Sequence, residues 1–160
     1  LTPPPVGGPA RFKGTTPRPE SSARQEKTMA KLKELFMVHT TKNVADANTD
    51  ADFALDIEMF GIEPVRLPFP DLPYNERERG RTDFYRFDVS RKGLYTERSL
   101  RIRMTMLNST DGWVPESLFL IGNTELGESL VLAAYPDWPD NEWFDTNDPA
   151  YPAGYLIAYT

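Results

Sequence analysis

The chain has 160 residues, 39% of them hydrophobic and 12% aromatic, which suffices for one substantial core but leaves too little length for two. Its formal net charge of −6 argues against nucleic acid as a partner, because phosphate-backbone binding needs clustered Lys and Arg; the local basic run is Arg77, Arg79 and Arg81. With no cysteine, a disulfide framework, a thiolate metal site and a Cys nucleophile are all excluded.

From Leu1 to about Lys27 the sequence LTPPPVGGPARFKGTTPRPESSARQEK is rich in Pro, Gly, Ser and charge, with Val6 and Phe12 as its sizeable internal apolar residues. Such a segment cannot bury a core, so residues 1–30 are expected to form a flexible Pro-rich N-terminal arm and residues 31–160 one interaction domain. The other reading of the arm is an extended strap that orders on a partner subunit and makes a homo-oligomer. The first residue is Leu1 rather than Met, as expected of a processed product or a fragment, and secretion is the favoured compartment. No apolar run approaches the roughly 18 residues of a spanning helix.

Beyond the arm, LFMVHTT reads as a first strand, although Met29 followed by AKLKELF also suits a short helix. In DFALDIEMF the period-two alternation puts Phe53, Leu55, Ile57 and Met59 on one face and Ala54, Asp56 and Glu58 on the other. The run PVRLPFPDLPYNERERG carries Pro64, Pro68, Pro70 and Pro73 and is expected to be a long exposed connection. Tyr85, Phe87 and Val89 alternate in DFYRFDV, and Leu100, Ile102, Met104 and Met106 in SLRIRMTML. SLFLIG, SLVLAAY and GYLIAYT complete the set as short apolar runs bounded by turn residues. Many strands, turn-rich spacers and little helical periodicity predict an all-β fold, an antiparallel β-sandwich whose loops hold most of the 15 prolines.

DANTDAD places an oxygen-bearing side chain at every second position: Asp46, Asn48, Asp50 and Asp52. As an EF-hand it fails, because the turn position that needs Gly is Ala51 and the closing position that needs Glu is Ile57. A second oxygen-rich loop, LNSTDGW, follows a later strand. If the sandwich brings the two loops to one end, Asp46, Asn48, Asp50, Asn108 and Asp111 form a candidate Ca²⁺ set. The competing reading is that Asn, Asp and Ser simply make turns.

The order of motifs resembles the PLAT or LH2 domain, a β-sandwich of lipoxygenases, lipases and bacterial toxins. The resemblance rests on NTDA at Asn48 to Ala51, then Arg79, Gly80, Asp83 and Phe84, then Asn108, Gly112 and Trp113, and it covers roughly Leu35 to Ile121. It implies a C2-like noncatalytic module that docks to a membrane surface or to another protein. Where members bind calcium, it implies the five ligands just named. The family usually has Gly where Asn48 stands, and Asn is among the residues that tolerate a left-handed turn. Phe69, Tyr74 and Trp113 are the candidate interfacial aromatics, with rings suited to the membrane interface, and the favoured alternative for Trp113 is that it starts a strand and packs in the sandwich.

The single histidine, His39, lies in the first predicted strand and reads as a core or edge residue rather than a catalytic base, since no nucleophile motif accompanies it. No nucleophile elbow, phosphate loop or HExxH is present, so no enzymatic activity is expected. The C-terminal YPDWPDNEWFDTNDPAYPAGY mixes Trp138, Trp143 and other aromatics with carboxylates and amides, a composition that suits either rings closing one end of the core or a carbohydrate-binding module with polysaccharide as partner. A third reading is an assembly subunit that uses the arm and these aromatic loops for contacts.

Overall fold

The computed structural model describes residues 29–108 and 111–160; the arm over 1–28, with the contacts expected of it, and Ser109 of the LNSTDGW loop lie outside the described residues. The described residues form ten strands: β1 Leu32–Thr41, β2 Asp52–Met59, β3 Val65–Pro68, β4 Thr82–Asp88, β5 Leu100–Asn108, β6 Gly112–Trp113, β7 Pro115–Thr124, β8 Ser129–Tyr135, β9 Phe144–Asp145 and β10 Gly154–Tyr159. One four-stranded sheet has the order β4-β1-β7-β8 and the other the order β10-β5-β2-β3, while β6 and β9 make a two-stranded ribbon. Every pairing is antiparallel.

Alternation builds the core. In β4 the side chains of Asp83, Tyr85 and Phe87 turn inward and those of Thr82, Phe84, Arg86 and Asp88 outward. Facing them across the sandwich are Phe53, Leu55, Ile57 and Met59 of β2 and Leu100, Ile102, Met104 and Met106 of β5, all buried. Each such side chain contributes about 1.5–3 kcal/mol by leaving water. Leu32 and Leu35 are both fully buried although three residues apart, which a period of two forbids. The register of β1 against β7 shifts between Leu32 and Glu34, and this bulge returns Leu32 to the inner face.

Two expectations need correction. The first strand begins at Leu32, so the helix considered around AKLKELF does not form. The Pro-rich run is not one exposed connection: Val65–Pro68 pairs with β2 as an edge strand, where proline is tolerated. The rest of that run folds back on the sandwich, with the Phe69 ring 4.7 Å from Tyr85 and 5.2 Å from Phe87.

The antiparallel order sends alternate connections to opposite ends. Residues 42–51, 69–81, 111–114 and 136–153 all emerge at one end, because Thr40 pairs with Thr82, Thr41 with Pro115, Leu118 with Tyr135, and Asp52 with Asn108. The chain enters β1 at the other end, where Ala30 is buried and its N–H donates to Glu97 Oε2 at 3.1 Å.

Candidate docking end of the sandwich

All ten residues singled out from the sequence lie at the end where those four connections gather. Asp46, Asn48, Asp50, Asn108 and Asp111 are exposed there. Asn108 Oδ1 accepts the Asp52 N–H at 3.1 Å, so the DANTDAD and LNSTDGW loops do meet. They meet through a backbone contact, however, and among the described residues no three His, Asp or Glu side chains converge to hold a metal ion. Burial explains the pattern. Ala47, Thr49 and Ala51 are buried while Asp46, Asn48, Asp50 and Asp52 face water, so the oxygens recur because they are the solvent face of a segment whose other face packs. Thr49 Oγ1 accepts the Ala51 N–H at 3.1 Å, and Asp46 takes a left-handed backbone at φ 61°, both features of turns.

Beside these loops sits a charged cluster that the sequence patterns did not single out. Asp83 is fully buried on the inner face of β4, with Oδ2 accepting the Arg77 N–H at 2.6 Å and Oδ1 3.4 Å from Arg81 Nε. Arg77 is only 4% exposed; its Nη1 donates to Tyr85 Oη at 2.8 Å, and its Nη2 is 3.3 Å from Glu76 Oε1. The other oxygen of Glu76 accepts the Leu72 N–H at 3.2 Å. The Arg77 guanidinium also lies 5.3 Å from the centre of the Phe53 ring. Burial pushes the Tyr85 hydroxyl well above its ordinary range, a rise that the Arg77 charge opposes. His39 is sandwiched nearby, its ring centroid 5.4 Å from that of Tyr85 and 4.8 Å from that of Trp113. Neither of its nitrogens has a hydrogen-bond partner among the described residues. Burial first, and the Arg77 charge second, push its pKa down to about 3, so it is a neutral core residue.

The signal that would have found this cluster is Asp83 itself. It occupies an inward position in the alternation of TDFYRFD, and a buried carboxylate needs a partner. Arg77, Arg79 and Arg81 do not form a basic surface, because Arg77 is buried and Arg81 stacks 3.9 Å over the Tyr74 ring while facing Asp83.

The aromatic candidates divide. Trp113 is fully buried, its ring 5.2 Å from Phe53 and 5.3 Å from Phe144, and its Nε1 donates to Thr41 Oγ1 at 3.0 Å. Trp138 is 3% exposed and stacks 5.8 Å from Phe144, with Tyr135 and Tyr155 against its edges. Neither presents a ring to an external ligand. Trp143 is half-buried, with Nε1 donating to Asp140 O at 3.1 Å, and its own carbonyl accepts the Tyr155 hydroxyl at 2.8 Å. The C-terminal aromatics thus pack into one end of the main core rather than forming a sugar platform. Phe69 is partly buried against the main core. Tyr74 remains 40% exposed, and Val44 at 39% and Leu107 at 38% are exposed apolar side chains on other segments of this end.

No protein-family model and no curated protein matches the chain. Among solved structures it is similar to the alpha toxin from Clostridium absonum, with a TM-score of 0.58 and 20% identity over 84% of this chain and 33% of that one. It also matches the alpha-toxin of Clostridium perfringens from the avian strain SWCP, with a TM-score of 0.47 and 23% identity over 65% of this chain and 30% of the other. The chain therefore spans about a third of the length of these toxins. The fold is the antiparallel β-sandwich of PLAT/C2-like type that the motif order implied.

Proposed function

We propose that the chain is a noncatalytic docking module that sets its loop end against a lipid surface, as one part of a longer bacterial toxin-like protein. The observation that carries this reading is the exposure of Val44, Tyr74 and Leu107, which come from three separate segments and share one end of the sandwich. Apolar and aromatic side chains grouped at a loop tip lose water-exposed area on entering the interfacial region, and a Tyr keeps its hydroxyl at headgroup level. Asp46, Asp50, Asp52 and Asp71 are exposed at the same end, so like-charge repulsion disfavours an anionic membrane and a zwitterionic one is the target. The full chain should float with phosphatidylcholine vesicles, and Val44→Asp with Leu107→Asp should release it. Flotation unchanged by those two substitutions would contradict the reading.

A second reading, docking to another protein, is favoured by the outer face of the β4-β1-β7-β8 sheet. Register aligns Phe84, Val38, Phe119 and Ala134 in one row and Phe36, Ile121 and Val131 in the next. Phe36 and Phe84 stack at 5.4 Å, and Val131 is 68% exposed. Such a stripe suits a protein partner. Val38→Glu should abolish that contact while leaving vesicle flotation intact, and the reverse result would assign lipid docking to this face.

A further inference from the structure

The motif order implies calcium at the loop end, and the side chains there do not fit it. Glu76, the most enclosed of the acids that line the pocket here, has one oxygen turned to Arg77 and the other to the Leu72 N–H. Asn108 Oδ1 is taken by the Asp52 N–H. Instead of a gap for a cation, the end contains a cation. Asp50, Asp52, Asp71, Asn75, Glu76 and Arg77 line one open pocket of about 410 Å³, and Arg77 is buried in its wall.

We infer that the Arg77 guanidinium, held by Glu76 and Tyr85 in the wall of this acidic pocket, is a built-in counter-cation that takes the place of a divalent metal, so that the loop end holds its shape without calcium. The backbone of Arg77 supports this role. Its φ of 56° lies in the left-handed region, which a long non-glycine side chain adopts only where its surroundings fix it. Asp83 fixes the backbone N–H, and Tyr85 and Glu76 fix the guanidinium. A permanently charged, planar group with several donors bridges separated acceptors as a metal would, and unlike a metal it does not dissociate. The inference concerns the end assigned to docking but stands on the protein alone, so it survives or fails independently of lipid binding.

The test is thermal unfolding of the full chain in calcium chloride, in magnesium chloride and in EGTA, on the native protein and on Arg77→Met and Arg77→Lys. The native protein and Arg77→Lys should melt at the same temperature in all three solutions. Arg77→Met, with Glu76 left without its cation in an acidic pocket, should gain roughly 3–6 °C from calcium at about tenfold excess over its dissociation constant. A calcium-specific rise in the native protein, or an Arg77→Met variant as indifferent to calcium as the native one, would overturn the inference. Should Arg77→Met not fold, equilibrium dialysis of the native chain against radioactive calcium decides: a bound ion overturns the inference and none supports it.

Discussion

The loop end has two halves that share one wall. Phe53 and Trp113 form that wall; on one side Arg77 lies over Phe53 and His39 abuts Trp113, and on the other Phe144 touches both rings. The half around Arg77 buries charge and fixes it with hydrogen bonds from a strained backbone. The half around Phe144 and Trp138 buries aromatic rings whose polar tips end on nearby carbonyls, as with Trp138 Nε1 on Glu142 O at 2.8 Å. In sequence the two halves are alike, both mixing carboxylates, amides, prolines and rings. The difference teaches that such composition does not identify a ligand site, since one half spends its polar groups on an internal cation and the other on its own backbone.

Substitutions can break this contrast on either side. The largest loss is expected from Phe144→Ala, which removes a ring that packs against Phe53, Trp113, Trp138 and Tyr155. Urea unfolding should show roughly 3–5 kcal/mol of destabilisation. Tyr85→Phe removes the acceptor of Arg77 Nη1 without changing the ring, and the same measurement should register about 1–3 kcal/mol for the buried donor left behind.

His39 gives the polar half an acid sensitivity. Its folded pKa is pushed down to about 3 from an ordinary 6.5, so between those values the unfolded chain binds a proton that the folded chain excludes. Stability must therefore fall as pH drops below about 6.5, with a slope of at most about 1.4 kcal/mol per pH unit from this group. Compared over pH 6.5 to 5, above the range where most carboxylates titrate, His39→Leu should flatten the slope; a slope the same in both proteins would remove His39 from the account. The smallest effect on folding is expected from Tyr74→Ala, about 0.5–1 kcal/mol for the lost Arg81 contact, although vesicle flotation should weaken clearly.

The strands were legible because alternation is a local property: Phe53 to Met59 and Leu100 to Met106 announce their inner faces without reference to anything else. Val65–Pro68 was not, since its prolines pointed to a loop and only pairing with β2 makes it a strand. The ribbon of Gly112–Trp113 with Phe144–Asp145 is too short to carry a period. That DANTDAD and LNSTDGW share an end follows from the pairing of Asp52 with Asn108, a non-local fact that the resemblance implied and composition did not. The oxygens of DANTDAD suggested ligands because an alternating solvent face and an alternating ligand set look identical in one dimension; the burial of Ala47, Thr49 and Ala51 separates them. Trp138 looked available because a ring packed on rings and a ring awaiting a sugar have the same composition around them. Arg77 was visible only as one of three arginines, and its burial depends on Asp83, six residues away, facing inward.

The most direct measurement of the central claim, that this is a docking end set by its own cation, is flotation of the full chain with phosphatidylcholine vesicles in EGTA. The account predicts that the chain floats in EGTA as well as in calcium and is released by Val44→Asp with Leu107→Asp. A chain that stays unbound in EGTA and floats only when calcium is restored would contradict it.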